Sequence, residues 1–99
     1  MIMKPRIDRK IYTIFEYQIS EETVKFLGTN SFVVANYEDY CCNYEFEYND
    51  YNITWFTTFA KAKKYLKDTI KREFSNDKYK LIEHKDFHNV RFWEAEFYD

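Results

Sequence analysis

At 99 residues the chain is the size of one small domain, and 45% hydrophobic against 32% charged residues is a globular balance, too apolar for a disordered chain and too polar for a membrane span. Ten Tyr, ten Phe and two Trp stand against a single glycine, Gly28, and a single proline, Pro5; this excludes nucleotide-binding loops, which need several glycines for the backbone to approach phosphate, and collagen-like or linker segments. The net charge of −2 conceals blocks of +3 over residues 1–10, −5 over 36–52, +5 over 61–80 and −3 over 81–99, so the surface is expected to be bipolar.

The run from Ile11 to Ile19 is β-branched and aromatic with its more apolar residues at odd positions, which predicts one strand. Residues 20–28 carry two signals. Ser20 as an N-cap, acids in the first turn and Gly28 just beyond the end predict a short helical turn, the reading preferred here; Val24 to Leu27 followed by Gly28-Thr-Asn30 also fits a hairpin. Phe32 to Ala35 is a strand under either reading. A hairpin is then predicted with Asn49 and Asp50 as its two-residue loop, pairing Tyr48 with Tyr51, Phe46 with Ile53 and Tyr44 with Trp55. Six large side chains would share one face and Glu45, Glu47, Asn52 and Thr54 the other.

A helix over about 58–74 follows, capped by Thr57 or Thr58, with Phe59, Ala62, Leu66 and Ile70 on one stripe flanked by Tyr65 and Phe74. Its outer face carries Lys61, Lys64, Lys67, Lys71 and Arg72. Two strands, around Tyr79–His84 and Val90–Tyr98, complete the chain. The expected architecture is a single α+β domain over residues 1–99, mostly antiparallel sheet with one main helix across one face.

Candidate chemistry is sparse. No serine lies in a Gly-x-Ser-x-Gly setting, and Cys41 and Cys42 sit among Glu38, Asp39 and Glu45, which disfavour a reactive thiolate. Adjacent cysteines suit neither a disulfide between them nor a zinc pair, and with His84 and His88 they lack zinc-ligand spacing. Glu83-His-Lys85 and Asp8-Arg-Lys10 match the acid-x-Lys fragment of metal-dependent nucleases, at the rate that 17 acids and abundant lysines produce by chance. No catalytic, cofactor or metal residue is therefore expected.

The segment from Tyr37 to Tyr51 interleaves tyrosines with carboxylates, a composition suited to gripping an Arg/Lys-rich groove of another protein. Tyr37, Glu38, Asp39, Tyr40, Glu45, Glu47 and Asp50 are the expected partner-binding residues. Phe, Tyr, Met, Ile, Asn and Lys, whose codons are AT-rich, total 48 residues against 10 for Gly, Ala, Arg and Pro, pointing to a low-GC bacterium, its phage or a mobile element. Together these predict a non-enzymatic protein-binding module, a phage or mobile-element accessory protein that inhibits or modulates a host protein, in the manner of an anti-CRISPR inhibitor. A nucleic-acid-handling enzyme with a basic groove is one such target. The alternative is a nucleic-acid-binding domain using the lysine face of helix 58–74. Homodimerisation through a sheet edge is also open. The first residues, Met-Ile-Met-Lys-Pro-Arg-Ile-Asp, lack the apolar stretch of a signal peptide, so a cytoplasmic location is expected, with no membrane partner.

Overall fold

The structure, a computed structural model, describes residues 3–35, 43–74, 78–85 and 90–98. Lys10–Phe15 (β1) and Gln18–Leu27 (β2) form an antiparallel hairpin in register from Lys10↔Thr23 to Phe15↔Gln18. The single strand expected over Ile11–Ile19 is thus broken in its middle. Glu16 takes a φ of 56°, the left-handed conformation that opens a two-residue hairpin loop, at a cost of about 1–2 kcal/mol for a residue with a Cβ.

Residues 20–28 are strand, correcting the helical turn expected from their cap-like ends. A bulge between Val24 and Phe26 brings Val24 and Leu27, three residues apart as on a helix, to one buried face. Phe26 turns outward, 62% exposed. Gly28 ends the strand: its N–H donates to the Ser31 carbonyl at 2.7 Å, and a Cβ there would stand 2.9 Å from the same oxygen.

Ser31–Ala35 (β3) pairs with β2 and with Asn43–Glu47 (β4), all antiparallel. The hairpin expected across residues 44–56 does not form. Instead β4 lies on β3, with Phe46 opposite Phe32 and Tyr44 opposite Val34. The chain leaves the strand at Tyr48, which is 3% exposed, stacks on Phe32 at 5.7 Å and donates its hydroxyl to the Gly28 carbonyl at 2.8 Å. Tyr48–Asp50 is a 3-10 turn, Asn52 has a φ of 68°, and Trp55–Phe56 (β5) pairs with β1 rather than β4. Ile53, expected opposite Phe46, is 52% exposed.

The helix, Phe59–Phe74 (α1), agrees with its sequence pattern. Thr58 Oγ1 accepts the Lys61 N–H at 3.2 Å as an N-cap, and Ala62, Leu66 and Ile70 are buried. Tyr79–Lys85 (β6) and Arg91–Phe97 (β7) make a seven-pair hairpin, and β7 joins β2 through Gln18↔Glu94, Ile19↔Trp93 and Ser20↔Phe92.

The result is the expected α+β architecture, one antiparallel sheet with a helix across one face. Residues directly opposite in a ladder share a face, so the register assigns two cores. On the convex side Ile19, Phe56 and Trp93 pack beneath Ala62, Leu66 and Ile70. On the other side the sheet curls, and Ile11, Val24, Phe32, Val34, Tyr48 and Trp55 fill its concavity. The Cα extents of 43 × 36 × 20 Å match this two-layer build. Among the described residues no helix is long and apolar enough to cross a membrane.

Two substitutions probe these turns. Gly28→Ala is expected to destabilise the domain by about 1–3 kcal/mol, since its methyl meets a backbone oxygen rather than a movable side chain. Glu16→Gly is expected to stabilise it by about 0.5–1 kcal/mol by relieving the positive φ. Thermal melting measures both, one kcal/mol corresponding to roughly 4–8 °C for a domain of this size.

Candidate partner-binding site

The concave core does not fill the whole curl. Beyond Ile11 and Trp55 the same face of β1 and β2 carries Thr13, Ser20 and Gln18, with Glu22 and Phe15, and this stretch borders a cavity of about 600 Å³. Tyr44, Glu45, Phe46 and Glu47 of β4 form the opposite wall, and Asp50 and Thr54 close one end. Among the described residues that line it, four are acids, Glu22, Glu45, Glu47 and Asp50, and none is Lys, Arg or His. Thr13 and Glu22 are buried, at 7% and 4% exposure, whereas Phe15 and Tyr44 stand at the rim, 76% and 52% exposed. The site therefore has a polar floor, an aromatic lip and a negative potential, the complement of a cationic group carried on an apolar body.

Of the residues expected to bind a partner, Glu45, Glu47 and Asp50 come together here; Tyr37, Glu38, Asp39 and Tyr40 lie outside the described residues, as do Cys41, Cys42 and His88. Glu45 is held in place by the Ser31 hydroxyl, which donates to its Oε2 at 2.6 Å. Thr54 Oγ1 is buried on the cavity wall with no hydrogen-bond partner among the described residues. Thr13, Phe15, Ser20 and Glu22 were not foreseen from sequence. The signal for them is the even-numbered polar series Gln18, Ser20, Glu22, which has strand periodicity and emerges once residues 18–27 are read as a strand.

The basic pole lies on the other side of the sheet. Lys61 donates to the Tyr51 hydroxyl at 3.0 Å, which holds that phenol below its usual pKa, and Lys64 pairs with Asp68 at 2.9 Å. Lys63, Lys67, Lys71 and Arg72 are exposed along the helix. Among the described residues no group of three His, Cys, Asp or Glu side chains is placed to hold a metal ion; His84 stacks on Phe92 at 5.0 Å.

A second polar cluster is structural. Glu21, on the helix side of β2, accepts from Arg91 Nη2 at 2.8 Å and from the Tyr12 hydroxyl at 3.0 Å, while Arg91 lies 5.2 Å from the centre of the Trp93 ring. The Arg91 hydrogen bonds hold the Glu21 carboxyl below its ordinary 4.5; burial, reinforced by Glu21, raises the Tyr12 phenol. Because the folded pKa of Glu21 is depressed, its contribution to stability is complete above the unfolded value of 4.5 and is lost as pH falls through the folded one. Arg91→Ala is expected to lower the melting temperature by a few degrees at neutral pH and to flatten its decline in acid, as read by melts from pH 7 downward. No family model, curated protein or solved structure matches this chain, so the reading of the site rests on its own geometry.

Proposed function

We propose that the chain is a non-enzymatic protein-binding module that takes a basic partner through the acidic cavity of its curled sheet. The observation that carries this reading is the cavity lining: Glu22, Glu45, Glu47 and Asp50 border it together with Phe15, Tyr44 and Phe46, with no cation among the described residues that line it. Glu22 and Asp50 on the cavity wall and Glu45 and Glu47 along the β4 edge offer a counter-charge to a partner's Arg or Lys, and Phe15, Tyr44 and Phe46 offer ring surface. Glu45 is already oriented by Ser31, which suits pre-organised recognition more than proton transfer. The AT-rich composition fits a phage or mobile-element accessory protein acting on a host protein, and an enzyme with a basic nucleic-acid groove offers the matching surface.

The exposed cations along the outer face of α1 favour a second reading in which the helix face binds nucleic acid.

Affinity capture from a low-GC bacterial lysate separates the two. A specific partner should be recovered with the native protein and lost by at least about tenfold with Glu45→Lys/Glu47→Lys/Asp50→Lys, while Lys67→Glu/Lys71→Glu leaves it unchanged. Capture that ignores the acid reversals would overturn the first reading. Low-salt anisotropy with labelled DNA and RNA tests the second, which stands only if binding is seen and is lost with the helix reversals.

A further inference from the structure

The cavity is lined by four consecutive residues of β4, Tyr44 to Glu47. Successive side chains of a strand point to opposite faces, so a cavity that meets all four runs along the strand's edge and not over one face. The hydrogen-bond phase says which groups lie on that edge. Tyr48 N–H donates to the Asn30 carbonyl at 3.1 Å, and bonded and non-bonded pairs alternate in an antiparallel ladder. Phe46 and Tyr44 therefore exchange hydrogen bonds with Phe32 and Val34 of β3. Glu45 and Glu47 direct their N–H and C=O away from β3, towards the cavity. The Glu47 carbonyl confirms the phase, because it accepts the Trp55 indole N–H at 2.9 Å from the far side.

Across the cavity stands the end of β1. Ile14 belongs by its side chain to the core under the helix, so it meets the cavity through its backbone. β5 pairs with β1 at Tyr12 and Thr13, and the Thr54 carbonyl just before it takes the Ile14 N–H at 3.1 Å, so the uncovered stretch of this edge begins beyond that amide. The cavity is thus a seam between the outer edge of β4 and the end of β1, pinned at the Glu47 end by Trp55. Among the described residues β4 pairs only with β3.

We propose that this seam accepts an extended segment of the partner protein, added as a strand along β4 and alternating apolar residues with Lys or Arg. The proposal rests on the reading of the cavity as a protein-binding site and specifies how that site works. Backbone hydrogen bonds to the N–H and C=O of Glu45 and to the N–H of Glu47 supply the docking, and the two faces of the sheet supply selectivity. On the concave side alternate residues of the segment meet Phe15, Tyr44 and Phe46. On the other face the intervening residues lie beside Glu45 and Glu47, where cross-strand Lys or Arg is favoured and acids are repelled. β4 is five residues long, which sets the length of segment engaged.

The test uses the full chain and two synthetic peptides of one composition, Lys-Val-Lys-Val-Lys-Val-Lys and Val-Val-Val-Lys-Lys-Lys-Lys, followed by titration and amide hydrogen exchange. The alternating peptide is expected to bind at least about tenfold more tightly than the block peptide, and to slow exchange of the Glu45 N–H by at least about tenfold. Glu45→Pro removes one outward N–H without touching the bonds to β3, a position where an edge strand tolerates proline. It is expected to weaken the alternating peptide by at least about tenfold, and Glu45→Ala, which loses the charge but keeps the amide, by only about threefold. Equal binding of both peptide orders, or binding indifferent to proline, would overturn strand addition while leaving the charge reading intact. Binding of neither peptide would overturn both. If Glu45→Pro does not fold, the comparison of peptide orders on the native protein still decides.

Discussion

One edge of β2 is shared. Its first three residues pair with β7 and four of its last five with β3, while β1 occupies the other edge along residues 18–23. Two strands cannot abut the same edge and continue in one plane, because sheet twist rotates each neighbour away from the last. The sheet therefore divides at Glu21 and Glu22. One branch, β7 and β6, stays flat enough to receive the helix; the other, β3 and β4, curls until Trp55 reaches the Glu47 carbonyl. The two side chains at the division face opposite ways. Glu21 ties the β7 branch to β2 through Arg91, and Glu22 is carried into the concavity. The cavity is the space the curl leaves unclosed.

That geometry also accounts for the aromatic excess. A curled sheet encloses a wedge instead of a slab, and few side chains span it. Phe32 does so by meeting Phe46 at 5.9 Å, Tyr48 at 5.7 Å and Trp55 at 4.9 Å, two near-parallel contacts and one edge-on. Aliphatic residues of the same number would leave the wedge underfilled, and the polar tips of Tyr48 and Trp55 find backbone carbonyls in a place where an unbonded donor would be costly.

The parts of this fold that could be read in the sequence are those fixed by local periodicity and local caps. Helix α1 is one, since Thr58, the buried stripe and the basic last turn agree with each other. The β4 to β5 region was misread because alternation reports which side chains share a face and not which strand lies alongside. Asn49 and Asp50 suit a two-residue hairpin loop as well as the 3-10 turn they form, and the decision is made by Phe32, which lies far off in sequence. The acids Glu45, Glu47 and Asp50 were visible as a solvent-facing set. Thr13 and Glu22 were not, because a buried polar residue on a strand has no local signature until the curl that buries it is known.

The two cores have one further consequence. Trp55 lies wholly within the curled core and Trp93 within the core beneath the helix, and these are the two tryptophans of the chain. Each core thus contains its own intrinsic fluorophore. Opening of the curl and detachment of the helix are optically distinct events in this molecule, and emission from the first reports directly on the indole that pins the seam.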